Sequence, residues 1–345
     1  MIMRFRFIAD RLRNALRNRI DITFHLIAQI QYDGTTRMIP VFALLLDALI
    51  GDPKSLWSKI PHPAVMMGKL IDWADQRFND DDDDEATRKV NGILVCLGLV
   101  ASMFALALII CSLPLGWYIS VFVGAFLLAQ RSLIQHVQAV ADALRMSTAD
   151  ARIMVGRIVG RDTNGMSREG VARSAIESAA ENFSDGLVAP LFWFVVAGLP
   201  GLLIYKIVNT ADSMIGYRTP RHNSFGWACA RLDDVLNWIP ARLTALIILL
   251  AARVTAKFTD IRTDAIKHRS PNAGWPEAAM ARALGVALAG PRSYEGEMRD
   301  FPWVNEQGRQ NANEADIEAA CLVLWKSWAI VLAGALVVAM IRAIC

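Results

Sequence analysis

Cysteine is scarce and solitary in this chain, with Cys96, Cys111, Cys229, Cys321 and Cys345 spread over 345 residues and no Cys-x-x-Cys pair. That usage excludes a zinc ribbon or a disulfide framework. An excess of charge of one sign is also lacking, because 36 basic side chains face 33 acidic ones for a formal net charge of +3. Nothing in that balance points to nucleic acid. Charged residues as a class are few, at 20% against 54% hydrophobic, and the mean hydropathy is +0.33. An ordinary soluble domain does not have this composition. No internal repeat is evident, which weakens an inverted-repeat transporter. The N-terminal stretch lacks the apolar core and small-residue cleavage site of a signal peptide.

What is present is apolar sequence, gathered into uncharged runs near the ~20 residues that cross a bilayer. The fold class expected is an all-α integral membrane protein, a polytopic helical bundle with four or five spanning helices, one re-entrant or broken segment and helical cytoplasmic segments. Val90 to Leu113 and Leu115 to Ala129 read as a transmembrane hairpin around Pro114 and Gly116. Its flanks carry Arg88, Lys89 and Arg131, so the positive-inside rule places both in the cytoplasm. The stretch 131–186 is then expected as cytoplasmic amphipathic helices. Leu187 to Val208 is apolar but broken by Pro190 and by Gly198-Leu-Pro200-Gly201, and re-entry is the favoured reading. Leu236 to Ala252 and Leu322 to Ile341 are the remaining spans, while Val41 to Ile50 is too short to cross. Residues 1–38 form a separate basic extension, either an amphipathic helix on the membrane surface or a tail that only helps orientation. Residues 39–345 are expected as a single polytopic domain, with 130–186 and 253–318 as polar helical segments. The acids Asp80 to Asp84 and Glu85 read as a solvated linker outside any site.

Three constellations carry chemistry. On a helix from Arg173 to Asp185, the residues Arg173, Glu177, Glu181 and Asp185 recur every four positions and form one carboxylate stripe. Such a stripe can hold magnesium or orient an amine. Where the broken segment ends, Lys206, Asn209, Asp212, Ser213 and Gly216 share one helical face, a set suited to a phosphate and its metal. Arg218, Arg221 and His222 follow in a loop, then Arg231, Asp233 and Asp234; the paired acids either ligate magnesium or are salt-bridged. Pro276 opens a further helix that Gly290-Pro291 is expected to close. Asp47 stands out as a carboxylate in an apolar run, and His62 reads equally as a turn residue or a ligand.

The order of these motifs resembles one family. Asp47 with Gly51-Asp52-Pro53, His62-Pro63, Arg161-Asp162-Thr163, Glu177-Ser178, Ala180-Glu181-Asn182 and Asp185-Gly186 are similar to the CbiB family of cobalamin biosynthesis, called CobD in some bacteria. So are Tyr205-Lys206, Asn209-Thr210, Asp212-Ser213-Met214, Gly216-Tyr217, Ala230 to Asp234, Pro240-Ala241-Arg242 and Ser270 to Ala279. The resemblance runs from about residue 39 to residue 305. It implies an adenosylcobinamide-phosphate synthase of the cell inner membrane, a ligase that joins adenosylcobyric acid to aminopropanol or aminopropanol O-phosphate in an amide bond. ATP is the implied co-substrate and Mg2+ the implied metal; the lipid bilayer is a partner, nucleic acid is not, and a homo-oligomer is left open. Under this reading Glu177, Glu181 and Asp185 are the catalytic candidates. Arg161, Lys206, Asn209, Ser213, Arg218, Arg221 and Arg231 bind substrate or phosphate, and Asp212, Asp233 and Asp234 hold metal. The competing readings are a transporter or AmpE-like signalling protein, and an intramembrane phospho- or prenyl transferase. For the latter, Asp185-Gly186 and Ala230-Arg231 lie too far apart.

Overall fold

The structure is a computed structural model that describes residues 34–344 except 60, 161, 295, 296 and 300. The basic stretch before residue 34, and Arg161, therefore lie outside the described residues. The chain is helical almost throughout: α1 Ile39–Ile50, α2 Pro63–Phe78, α3 Glu85–Ser112, α4 Gly116–Leu127, α5 Gln130–Met146, α6 Thr148–Val155, α7 Arg168–Phe183, α8 Ala189–Ile215, α9 Trp227–Leu236, α10 Trp238–Ala252, α11 Phe258–Ala265, α12 Gly274–Leu284 and α13 Glu314–Ile344. Four helical runs are long and apolar enough to cross a membrane: Glu85–Ser112, Gly116–Met146, Arg168–Ile215 and Glu314–Ile344. The pair α9 and α10, bent by 45°, makes a fifth if it is one span. The expected count of four or five stands, and α1 is indeed a short apolar helix.

Two details differ from the expectation. The stretch 253–318 is not helical throughout: Leu288–Ala289 pairs with Trp303–Val304, and Arg292–Tyr294 with Glu297–Arg299, in short antiparallel ladders. The helix opened near Pro276 ends earlier than predicted, because Gly285 at φ 65° takes the left-handed turn that closes α12. Gly290-Pro291 comes after this stop.

At the centre of the bundle lies α7. Ala172, Ala175, Ala179 and Ala180 are fully buried together with Val171, Ile176 and Phe183. Small side chains on several faces let neighbouring backbones approach closely, which is how helices associate where lipid offers no hydrophobic contrast. Its start is fixed by Ser167, whose hydroxyl accepts from Gly170 N–H at 3.1 Å, and Arg168 there pairs with Glu314 at the start of α13 at 2.8 Å. Arg342, near the other end of α13, donates to the carbonyl of Val195 at 2.6 Å. The chain from Arg168 to Val195 thus runs alongside α13 for nearly its whole length.

The acidic run is more than a linker. Asp84 caps α3 by accepting from Thr87 N–H at 2.8 Å, which satisfies one of the orphan donors at the helix start. Asp81, still largely exposed, pairs with Arg88 and Arg221, each at 3.1 Å.

Asp47, the carboxylate in an apolar run, is 2% exposed and accepts from the N–H of Gln130 at the first position of α5, at 3.0 Å. In return, Arg131 donates to the last carbonyls of α1, those of Ala48 and Leu49, at 3.1 and 2.7 Å. Each helix caps the other. Asp47→Leu leaves the Gln130 N–H buried without an acceptor, and the expected loss is about 1–3 kcal/mol of stability. Thermal unfolding in detergent measures it, and an unchanged midpoint would count against the cap.

Candidate active site

Between α7 and α8 the helix widens into a π-turn, Ser184–Val188. Such turns rotate one residue out of the regular helical progression. The expected stripe is broken here: Asp185 leaves the line of Glu177 and Glu181. Glu177 is buried at 6% exposure, and its carboxylate accepts from the backbone N–H of Ala289 at 2.7 Å. That contact ties the strand segment to α7.

Gly198 decides the rest. Inside α8 it has φ 64° and ψ −156°, a conformation in effect reserved for glycine, and Pro200 follows two residues later. The chain turns back on itself there. Twenty residues of unbroken helix would put Asp185 and Tyr205 about 30 Å apart, yet the Tyr205 hydroxyl lies 3.2 Å from the Asp185 carbonyl oxygen. Gly201 packs directly on the carbonyl of Trp193, so the limbs touch where a side chain would hold them apart. The break expected in this segment is present, at Gly198.

The fold-back brings together groups that the sequence keeps apart. Asp185 comes within electrostatic range of Glu181, Lys206, Asp212 and Asp233. Tyr205 sits between the carbonyl of Asp185 and the side-chain oxygen of Asn237, the latter at 3.0 Å. Asp233 is buried and accepts from Asn237 at 3.0 Å and from Asn209 at 3.3 Å, so both of its oxygens are engaged. The ammonium of Lys206 and the carboxylates of Asp185 and Asp212 are half-buried, and none makes a hydrogen bond or ion pair with another described residue. Charges in that state are costly at membrane depth unless a cavity hydrates them or a ligand meets them. Asp212 also lies flat against the Cα of Gly216, leaving no room there for a side chain.

Other sequence candidates fall elsewhere. Asp234 turns to Arg231 at 3.0 Å, and its carbonyl accepts from Asn272 at 2.8 Å. Of the expected metal set Asp212, Asp233 and Asp234, the last is thus engaged by Arg231. Adjacent residues on one helix project about 100° apart, and among the described residues no three His, Cys, Asp or Glu side chains gather as a metal cage. Ser213 spends its hydroxyl on the carbonyl of Asn209 at 2.9 Å and is exposed. Arg218 is exposed and without an ion pair among the described residues, on the loop after α8. Arg221 is not free to bind phosphate; it is paired with Asp75 at 3.3 Å and with Asp81.

Sequence reasoning missed Asn237 and Asp75, and saw Asn272 only as part of the Ser270 to Ala279 motif. Asn272 accepts from Arg242, whose guanidinium lies 4.6 Å over the Trp238 ring and 4.7 Å over Trp275. This stack fastens the Ser270 to Ala279 motif to α10, the helix that follows the one bearing Asp233. His62 takes the structural role: its Nδ1 accepts from Ala64 N–H and caps α2, while Nε2 lies 3.4 Å from Asp52. The bond from His62 is the main cause holding the Asp52 carboxyl below its ordinary range.

For a nucleotide-bound magnesium the residues fit. Magnesium is held through one or two carboxylates plus substrate phosphates rather than in an all-protein cage. Asp185 and Asp212 supply that number beside an ammonium suited to phosphate.

The class defined by this geometry is a multi-pass helical membrane protein with a cluster of charged side chains between a fold-back and a bent helix pair. The chain belongs to the CobD/CbiB family of cobalamin biosynthesis: the family described as "CobD/Cbib protein" matches residues 40–324. It is 48% identical over 298 residues to the cobalamin biosynthesis protein CobD of Brucella anthropi, covering 83% of this chain and 91% of that one. To the protein of the same name from Rhizobium meliloti it is 49% identical over 301 residues, 84% and 92% of the two chains. The Rhodobacter capsulatus CobD is 47% identical over 272 residues, 77% and 85%. No solved structure matches the chain.

Proposed function

We propose that this protein is an adenosylcobinamide-phosphate synthase of the cell inner membrane. It joins the free propionate of adenosylcobyric acid to the amine of aminopropanol or aminopropanol O-phosphate at the expense of ATP. One observation carries the reading: the side chains of Lys206, Asp185 and Asp212, unpaired among the described residues, are gathered into one cluster by the fold-back at Gly198. A carboxylate is a poor electrophile. Ligation needs its oxygen phosphorylated and then displaced by a neutral amine, with phosphate leaving.

Each group has a part in that sequence. Asp185 and Asp212 would hold Mg2+, which when bound offsets phosphate charge. Lys206 neutralises the transferring phosphoryl group as a compact point charge. Glu181, one turn before the π-turn, takes the proton that the ammonium must lose before its nitrogen attacks the acyl carbon. Asp233, held by the amides of Asn237 and Asn209, fixes the far side of the cluster in place. Arg218 at the mouth meets the acidic end of the amine substrate or of the corrin.

The test is turnover by the purified protein in lipid, with adenosylcobyric acid, ATP, magnesium and each amine in turn. Cobinamide product from one of the amines is expected. Absence of product from both, in a protein that restores neither growth on cobyric acid nor ligation in membranes, would overturn the assignment. If Glu181 handles the amine, Glu181→Gln lowers turnover with little change in ATP binding. Equal loss of both would remove it from that role.

A further inference from the structure

Between α8 and α9 the chain makes a loop, residues 216–226, that starts at Gly216 directly against Asp212 and brings Arg218 within electrostatic range of Asp234. Its second half is clamped. Gly226 packs on the carbonyl of Ile215, and its N–H donates to the carbonyl of His222 at 2.7 Å. Gly92 of α3 lies directly against the carbonyl of Phe225. The middle of the loop is held by a network from three other segments. Asp75 on α2 faces the Arg221 guanidinium and the His222 ring, each at 3.3 Å. Asp81 of the acidic run takes the other side of Arg221 at 3.1 Å. The carbonyl of Arg221 accepts from Arg88 at 2.7 Å and from Asn79 at 3.2 Å. Asn79 in turn donates to Asp75 at 2.7 Å and accepts from Arg88 at 2.9 Å.

The arc from Gly216 to Arg218 runs up to this clamp and is joined to it by Thr219, whose carbonyl accepts from Asn223 N–H at 2.9 Å and whose hydroxyl accepts from His222 N–H at 3.2 Å. Here the Tyr217 hydroxyl comes within 3.6 Å of where a Cβ on Gly160 would lie. The loops after α6 and after α8 therefore meet.

We infer that Asp75 and Asp81, acting through Arg221 and His222, are positioning residues that fix this arc at the pocket mouth, so that Arg218 is presented to the anionic end of the incoming substrate. None of the four needs to touch substrate. The assignment of a substrate to Arg218 rests on the proposed ligase reading; the anchoring of the loop does not. Burial alone would raise the Asp75 carboxyl, but the bonds from Asn79 and His222 and the charge of Arg221 outweigh it and leave it below its ordinary range. This agrees with a charged clamp at neutral pH.

The experiment uses the full chain in nanodiscs, as wild type, Asp75→Asn and Asp75→Glu, with two readouts. In the first, KM for aminopropanol O-phosphate is expected to rise about tenfold in Asp75→Asn while kcat stays within about twofold, the pattern of lost ground-state binding. Asp75→Glu is expected to restore most of it. In the second, hydrogen exchange of the amides in 216–223 accelerates in Asp75→Asn, while α7 and α13 keep their protection. An unchanged exchange rate in the loop, acceleration spread through the bundle, or a fall in kcat with KM unchanged overturns the inference. If the wild type shows no turnover, the ligase reading fails and the exchange readout alone decides whether the loop is anchored by Asp75.

Discussion

Lys206→Met is expected to insert and fold normally yet lose roughly 10²–10³-fold in turnover, the scale seen when one preorganised electrostatic group is removed from a reaction centre. Methionine keeps the length and apolar stem of lysine, so the change isolates the ammonium. Its charge faces Asp185 and Asp233 and is bonded to neither. Within the described residues there is no other role for it to lose. A snorkelling lysine at a helix end would predict the opposite, a variant with near-wild-type turnover. Steady-state kinetics with saturating ATP separates the two, and turnover within tenfold of wild type removes Lys206 from the phosphoryl-binding role. Lys206→Arg is not a conservative control, since the planar guanidinium is bulkier and prefers a bidentate partner. Asp212→Asn belongs in the same series. It leaves the shape of the pocket and the contact with Gly216, and should show a loss that added magnesium partly offsets. Ser213→Ala, by contrast, removes a hydroxyl that only bonds back to Asn209 and should cost little.

The sequence carried the spans well because crossing a membrane is a matter of length and apolarity, both local properties. Leu322 to Ile341 falls inside α13, and Val90 to Leu113 nearly coincides with α3. The break at Gly198 was legible for the same reason, since Gly-Leu-Pro-Gly within an apolar run is a local signal. What was not legible is the side-chain traffic between distant segments. Glu177 shares a helical face with Glu181 in any periodicity reading, and nothing nearby announces that Ala289, 112 residues on, donates to it. Asp234 and Asp233 look alike as neighbours; the structure separates them only through Arg231 on one side and two amides on the other. Asp185 entered the pocket through a π-turn, a one-residue slip that periodicity cannot show. Arg221 resembled a phosphate binder because its partners, Asp75 and Asp81, lie some 140 residues earlier. The acidic run was read as inert for want of that same long-range contact.

Gly198→Ala is expected to have the second large effect, and it tests the geometry on which the pocket depends. A Cβ at φ 64° and ψ −156° costs on the order of 1–3 kcal/mol, because this region is open in effect only to glycine. The cheapest relief is for residue 198 to return to helical angles. That would straighten Ala189–Ile215 into one rod and carry Lys206 and Asp212 away from Asp185. Total loss of turnover is the expected outcome, even if protein accumulates in the membrane. The same variant supplies a structural readout. With the fold-back intact, the loops after α6 and α8 meet near Gly160 and Tyr217, so cysteines placed at the exposed Asn164 and Asn223 should label from the same side of a sealed vesicle. Straightening the segment sends position 223 toward the opposite side, so a fraction of Gly198→Ala should label there from the other compartment. Two results count against this account: labelling of the parent from opposite sides, or an active Gly198→Ala with unchanged labelling. In the first case the two halves of the pocket do not share a compartment. In the second the left-handed turn is not what brings them together.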